Sequence, residues 1–263
     1  MKKTFKLFMV LALGAGVFTL QSCSDDTTTT EPTPTSPTCY ITQEKITSDG
    51  DIETIDYTYN SDNNITMAIS TGDGFSDTTI FEYSGGRLSL AKDESTEATF
   101  IYGAGSNVPE RINVKTDGID AGYTILTATD GRVTKIENHD TEDGDVIDDV
   151  IFITYNASGS VTDAEAQDYD ADTDEYTTTL TLGNVITDGK KNPYETSFVF
   201  FYMNDDNPIS LGASNVVSAT LTVNSLEIPY ASSFDYNSND YPSSGSSTLF
   251  GFNTTTDYTY NCK

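Results

Sequence analysis

Large apolar and aromatic residues alternate with polar residues through most of the chain after residue 39. In the segment 55–60, Ile55, Tyr57 and Tyr59 alternate with aspartate, threonine and asparagine. A period of two residues is typical of a β-strand with one buried face. Thr, Tyr, Ile, Val and Phe dominate these segments, as pleated sheets favour. The pattern predicts short antiparallel strands rather than helices.

The strand signals recur as hairpins: an aromatic-rich strand end, a turn, and a short strand that begins with an apolar residue. Such units occupy residues 55–66, 80–89, 100–114, 123–136 and 152–162. The strand-end Tyr59 and Tyr83 are 24 residues apart, and Tyr83 and Tyr102 are 19 apart. Asp130-Gly131 supplies the positive φ that tight hairpins require. Consecutive hairpins predict an all-β fold, an antiparallel up-and-down meander of hairpin repeats that forms a strongly curved sheet or partial barrel.

The segment 192–203 departs from this rhythm. Asn192-Pro193-Tyr194 follows a basic pair, and residues 198–203 are six apolar residues in a row. A run that is apolar on both sides is either a central strand or a segment packed inside the curved sheet. The alternating pattern then resumes towards the carboxyl terminus and ends with Tyr258-Thr259-Tyr260.

The first 22 residues have the anatomy of a signal peptide. Lys2, Lys3 and Lys6 precede the uncharged apolar run 7–20, which is too short to span a bilayer comfortably. The run ends at 20–23 with Leu-Gln-Ser-Cys, which resembles the lipobox of bacterial lipoproteins. The resemblance implies that Cys23 is acylated and that its two or three acyl chains anchor the protein stably. The alternative is an ordinary cleavable signal with an incidental cysteine.

The residues after Cys23 predict where the protein is held. Ser24-Asp25-Asp26 resembles the export signal that sends Bacteroidetes lipoproteins to the outer face of the outer membrane, although the acidic pair also fits the start of a polar linker. Residues 24–38 are rich in Thr, Pro and Ser and predict a solvated tether. The predicted organisation is therefore a signal peptide (1–22), a lipidated cysteine with its linker (23–38) and one β-repeat domain (39–263).

The charge of the chain restricts its partners. Thirteen basic and 41 acidic residues are present, and removal of residues 1–22 takes away three of the basic ones, which leaves a formal charge near −31. Nucleic acid is excluded because phosphate binding depends on Lys and Arg. Outward strand faces rich in Asp, Glu, Thr and Asn also predict that the sheet is not membrane-spanning. The lipid anchor is thus the expected contact with the membrane, and a glycan or protein is the expected partner.

The motifs resemble one known family. The tyrosine-rich hairpins, Asn192-Pro193-Tyr194, Ser214-Asn215-Val216, and Phe234-Asp235-Tyr236 before Tyr241-Pro242 are similar to those of Bacteroidetes lipoproteins with a domain of unknown function described as porin-like. The hairpins also resemble diverged tyrosine–aspartate repeats of the Rhs type. The resemblance implies a curved antiparallel sheet or partial barrel, and it carries over no catalytic residue and no ligand.

Cys39 and Cys262 lie just before the first predicted strand and one residue from the end of the chain. An exported protein resides in an oxidising compartment, where a bridge between them would tie the edges of the meander together. Two free thiols, or other pairings, are the alternatives.

Alternating carboxylates raise the question of a metal site. Asp168, Asp170, Asp172 and Asp174 could offer several oxygen atoms to calcium. The segment does not match an EF-hand loop, because the segment lacks the glycine of the sixth position and has Thr179 where the closing glutamate belongs. The alternative is a hairpin tip or edge strand protected by charge. No other cofactor is expected.

The sequence lacks the pattern of a recognisable enzyme. The single histidine, His139, follows Glu137-Asn138 in an acidic segment and is interpreted as a solvated loop residue. No serine lies in a nucleophile-elbow glycine pattern. The leading hypothesis is therefore a non-enzymatic surface lipoprotein that serves as a binding or structural module. The rival is a glycan-binding or glycan-processing lipoprotein of a polysaccharide-uptake system. A cleft lined by exposed Tyr or Phe beside two carboxylates would favour this rival.

Overall fold

The computed structural model describes residues 37–141, 145–170, 173–204 and 207–263. The predicted signal peptide, Cys23 and the linker up to residue 36 lie outside the described residues. The strands are β1 (Cys39–Ser48), β2 (Asp51–Tyr59), β3 (Ile65–Gly72), β4 (Phe75–Ser84), β5 (Arg87–Lys92), β6 (Thr96–Ile101), β7 (Arg111–Thr116), β8 (Ile119–Thr129), β9 (Arg132–Asp140), β10 (Val146–Tyr155), β11 (Val161–Asp170), β12 (Glu175–Lys191), β13 (Ser214–Val223), β14 (Leu226–Tyr236), β15 (Pro242–Leu249) and β16 (Phe252–Cys262).

These strands form a closed antiparallel barrel. Each strand pairs with its neighbours in the chain, and β1 pairs with β16 from Cys39–Cys262 to Ser48–Thr254. The predicted all-β, antiparallel meander is confirmed. The prediction of a curved sheet or partial barrel is wrong, because the first and last strands meet and leave no edge.

β-Bulges help the long meander to close. The register shifts immediately before Tyr59, Tyr83, Tyr155 and Tyr236, each the last or nearly the last residue of its strand. A bulge bends its strand and increases the local right-handed twist. The twist adds up over successive hairpins and brings the last strand, β16, next to the first strand, β1.

A Tyr-Asn dipeptide forms the turn at three of these bulges. The asparagine side-chain oxygen accepts two backbone N–H groups, and the fourth turn residue has a positive φ. The asparagines are Asn60, with N–H···O distances of 2.9 and 3.0 Å; Asn156, with 3.0 and 3.0 Å; and Asn237, with 2.9 and 3.2 Å. The positive φ falls on Asn63, Gly159 and Asp240, residue types that tolerate this conformation.

The connections alternate between two ends of the barrel because neighbouring strands are antiparallel. We call the end that carries Thr38 and Lys263 the terminal end. It also carries the Tyr-Asn turns and the long connection between β12 and β13. The described part of the chain therefore begins and ends at this end of the barrel.

The long connection folds into the barrel and fills part of its interior. We call residues 192–204 and 207–213 the plug. It contains a 3₁₀ turn (Pro193–Thr196), helix α1 (Phe198–Met203) and a second 3₁₀ turn (Pro208–Ser210). The ring of Phe200 is fully buried and lies 5.3 Å from the ring of Tyr57 on β2. The apolar run is therefore packed inside the sheet, as one of the two alternatives predicted, but as a helix.

The inward strand faces supply the rest of the core. On β2 the side chain of Tyr57 is buried, whereas those of Asp56 and Thr58 are exposed, so the predicted alternation is confirmed there. No helix among the described residues is long and apolar enough to cross a membrane.

We expect Asn156→Ala to lower the free energy of unfolding by about 1–2 kcal/mol, because two turn N–H groups lose their acceptor. Asn156→Asp retains a side-chain oxygen and is the matched control. Urea unfolding of both variants measures the difference. Equal stability of the alanine variant and the parent chain would show that the asparagine does not hold the turn.

Candidate functional site

Asparagine side chains fix the ends of the plug. Asn192 is buried, and its Nδ2 donates to the carbonyl oxygens of Ser210 at 2.7 Å and Gly212 at 2.9 Å. Its Oδ1 accepts the backbone N–H of Tyr194 at 3.0 Å. The single side chain therefore joins the first residue of the plug to its last turn, and both its N–H groups and its oxygen are hydrogen-bonded.

Glu44 ties the plug to the wall. It is 3 % exposed on β1. Its Oε1 accepts the hydroxyl of Tyr57 at 2.7 Å, and its Oε2 accepts the hydroxyl of Tyr194, from the plug, at 2.5 Å. Burial raises the pKa of Glu44, and the two tyrosine hydrogen bonds offset this only in part.

The plug leaves a cavity of about 390 Å³ on the side of β8, β9 and β10, which we call the Arg132 cavity. Its apolar floor includes Phe198 and Phe201, whose rings stack 5.1 Å apart. Asp130 and Glu195 bring two carboxylates to it. The volume lies within the range of natural small-molecule sites, which is roughly 300–1,000 Å³.

An ion pair crosses one side of this cavity. Arg132 Nη2 lies 3.1 Å from Glu195 Oε1, and both side chains are partly exposed. The guanidinium lies against Gly159, since a Cβ at this glycine would be 2.2 Å from Arg132 Nη2. The backbone of the β10–β11 turn thus holds the planar guanidinium in place beside the cavity.

Tyr155 gives the Arg132 cavity a free hydroxyl. Tyr59 and Tyr83 occupy the same strand-end position and donate to the carbonyl oxygens of Ile41 at 2.7 Å and Ile65 at 2.9 Å. Tyr155 makes no such bond within the described residues, and its side chain lines the cavity. Burial raises the pKa of Tyr155 to about 12, so the hydroxyl remains a donor at neutral pH.

A second cavity of about 190 Å³ lies on the other flank of the plug, against β12 to β16. We call it the β15 cavity. Tyr194 lines both cavities. Glu44 therefore holds, through Tyr194, the element that separates two potential binding sites.

The structure joins Cys39 to Cys262 through a disulfide bond, with the two Cα atoms 4.0 Å apart. The bond lies at the terminal end, between the two strands whose pairing closes the barrel. In the loop-entropy treatment, a crosslink spanning 223 residues stabilises the folded chain by up to about 5 kcal/mol. The predicted lipidation site, Cys23, lies outside the described residues.

The predicted calcium ligands flank the turn between β11 and β12. Asp168 and Asp170 lie on β11, Asp174 lies in the turn, and Asp172 is outside the described residues. Asp174 accepts the hydroxyl of Tyr169 at 2.9 Å. Within the described ranges, no group of three or more His, Cys, Asp or Glu side chains is arranged to hold a metal ion. Calcium binding stays a prediction.

The interpretation of His139 as a solvated loop residue is wrong. It belongs to β9, and its ring stacks on Tyr123 of β8 with 4.3 Å between centroids. Its Nε2 lies 3.0 Å from Glu137 Oε1, and its side chain is 11 % exposed. The acidic segment continues as a strand, and the cross-strand tyrosine covers the imidazole.

Sequence patterns did not identify the residues that matter most in the lumen. Glu44 resembles any other outward acid, because a β-bulge between Ile41 and Gln43 changes which residues of β1 face inward. Arg132 is a single residue after a common Asp-Gly turn. Asn192-Pro193-Tyr194 was the available signal, since it marks the departure from the hairpin rhythm.

The chain is a closed 16-stranded antiparallel barrel with an internal plug. It is similar to a porin-like protein from Bacteroides uniformis, with a TM-score of 0.58, 15 % identity, and coverage of 87 % of this chain and 98 % of that one. A porin-like protein from Bacteroides vulgatus aligns with a TM-score of 0.41 and 10 % identity over 84 % of this chain and 98 % of that one. At such identities the first similarity shows the fold alone. No family model matches the chain, and neither does any curated protein.

We expect Glu44→Gln to change how stability depends on pH. A carboxyl whose pKa is raised in the folded state binds more protons when folded, so its contribution to stability is present at low pH and is lost as pH rises above about 4.5. Glutamine does not titrate, so the variant does not lose stability in this way. Its free energy of unfolding should therefore increase relative to that of the parent chain from pH 4.5 upward. Urea unfolding across this range measures the difference, and parallel profiles would contradict the shift.

Proposed function

We propose that the protein is a lipid-anchored, non-enzymatic binding module of the outer membrane that faces the cell exterior. The lipobox-like segment that ends at Cys23 supports the anchor, and the acidic residues 24–26 support the outward location. The barrel contacts the membrane through this anchor alone. The observation that carries binding is that the plug occupies the lumen without filling it.

The Arg132 cavity favours a glycan as the ligand. Phe198, Phe201 and Tyr155 offer apolar ring surface, and the Arg132–Glu195 pair offers fixed planar hydrogen-bonding groups. A sugar has both kinds of complementary surface: C–H faces and paired hydroxyls. Pockets with mostly apolar walls and a few placed polar groups are the usual form of small-molecule sites. The partly exposed rings lie beside the carboxylates of Asp130 and Glu195. A cleft of this composition is the feature that favours a glycan-binding protein over a purely structural one.

We assign structural roles to the two carboxylates that burial perturbs most, Glu44 and Asp149. Both oxygens of Glu44 accept tyrosine hydroxyls. Both oxygens of the half-buried Asp149 accept Asn138 Nδ2, at 3.1 and 3.2 Å. Burial raises the pKa of Asp149 to about 6, and the Asn138 hydrogen bonds lower it in part. These acids are held by internal partners and do not line either cavity.

We expect Cys23→Ser to release the protein from the membrane fraction, because the lipid is proposed as the sole attachment. Metabolic labelling with an alkyne-bearing fatty acid measures acylation, and fractionation measures release. The parent chain should be labelled and membrane-bound, whereas the variant should be neither. A variant that stays in the membrane fraction would show that the barrel itself is embedded.

We expect residues 39–263, which contain every strand of the barrel, to bind a neutral glycan saturably on a glycan array. Arg132→Gln should weaken this binding by about tenfold or more, through loss of a hydrogen-bonding fork at the cavity. Arg87→Gln is the matched control. Arg87 lies over the ring of Tyr102 at the same end of the barrel and outside the cavity.

Absence of saturable sugar binding would overturn the glycan proposal and leave a structural module. Equal effects of the two arginine substitutions would remove the Arg132 cavity as the site. Calcium titration of the same protein tests the predicted ligands Asp168, Asp170, Asp172 and Asp174, and a saturable response lost in Asp170→Asn would support them.

A further inference from the structure

The β15 cavity is uncharged, unlike the rest of the molecule. The chain contains 41 acidic and 13 basic residues, yet none of the described residues that line this cavity is Asp, Glu, Lys, Arg or His. Its walls are aromatic rings, aliphatic side chains, hydroxyls and amides. A charged ligand would lose its hydration there without gaining an opposite charge, which is costly in a buried site.

The lining combines apolar and polar side chains. Leu180, Leu221 and Leu249 lie towards the end of the barrel away from the chain termini. Asn192 is the first residue of the plug, and Asn215 lies at the start of β13, directly after the plug. Pro208, Ile209 and Val216 add apolar surface on the plug side, so a ligand that suits this lining has an apolar body and a hydrogen-bonding group.

Aromatic rings form the sides of the cavity. Tyr230 and Phe234 come from β14, and Tyr258 comes from β16. Aromatic side chains pack against other rings in offset or edge-to-face arrangements, which gives a preference for flat apolar ligands beyond the area that is buried. The walls therefore favour a ring over a branched aliphatic group.

Small residues on β15 create the space. The inward positions Gly245 and Ser247 lie between the aromatic strands β14 and β16. A Cβ at Gly245 would lie 3.0 Å from two ring carbons of Phe234. Both residues are packed: the ring of Phe234 covers Gly245, and the hydroxyl of Ser247 is a hydrogen-bond partner of Tyr230. The small volume of the two residues leaves room for the cavity beside them.

The volume decides the size of the ligand. A dry apolar cavity of about 150 Å³ accommodates benzene. At about 190 Å³, the β15 cavity holds one six-membered ring with a small polar substituent. It is too small for a disaccharide, so this site is distinct from the glycan site proposed for the Arg132 cavity.

We propose that the β15 cavity binds an uncharged single-ring molecule that carries a hydroxyl group, of the phenol class. The ring lies among Leu221, Tyr230 and Phe234, and the hydroxyl bonds to an amide or hydroxyl at the plug side. The site is independent of the glycan proposal, because its ligand contacts neither Arg132 nor Glu195.

Titration of isotope-labelled residues 39–263 with phenol tests the proposal by nuclear magnetic resonance. We expect saturable shifts of the amide signals of Gly245 and Leu221, with a dissociation constant of about 1 mM or lower. Benzoate and benzylammonium, which add a charge to the same ring, should bind at least about tenfold more weakly. Equal binding of the charged rings, or no saturable shift with phenol, would overturn the proposal.

Ser247→Val narrows the cavity and removes the hydroxyl that bonds to Tyr230, and we expect it to abolish the phenol shifts. Ser244→Val lies on the same strand but does not line the cavity, and it should preserve them. Unchanged binding by the Ser247 variant would place phenol elsewhere. Crystals of the parent chain soaked in 4-bromophenol give a test that depends on no variant. Anomalous bromine density in the β15 cavity supports the proposal, and its absence there overturns it.

Discussion

The width of the barrel is the constraint on which the rest of the structure depends. Eight strands enclose an interior that wall side chains can fill, whereas sixteen leave a lumen too wide for them. The plug supplies the missing atoms, with Val199 and Phe200 buried among wall residues. Its attachment is polar, because Tyr194 bonds to Glu44 on β1. The chain thus combines an apolar filling with one buried acid that fixes where the filling sits.

Local chemistry made the hairpins predictable, but closure is a property of the whole sheet. Turns such as Asn156–Gly159 and strands such as 55–60 carry their signals within a few residues. Whether β16 reaches β1 depends on the sum of twist and register over every strand. The bulges that contribute to this sum, for example beside Tyr59, leave no clear mark in the alternation. The sequence therefore predicted the meander correctly and the open sheet wrongly.

The plug shows why the candidate site was harder to predict than the strands. Residues 198–203 are apolar on every side, so no periodicity distinguishes helix from strand. A helix of this length is marginal on its own. It forms here because Ser197 caps its first turn and because burial against Tyr57 and Phe100 favours it. These partners lie about one hundred residues or more away in the chain, beyond the reach of local patterns.

Charge and cavity position together support the proposal that the barrel binds ligands. Many of the acids lie on outward strand faces and in turns, where water solvates them and mutual repulsion favours solubility. Glu44, which enters the interior, is bonded to two tyrosine hydroxyls, and none of the described residues that line the β15 cavity is charged. The interior thus retains unfilled, chemically distinct spaces on both flanks of a firmly held plug, and these spaces are the physical basis of the proposal that the barrel binds ligands.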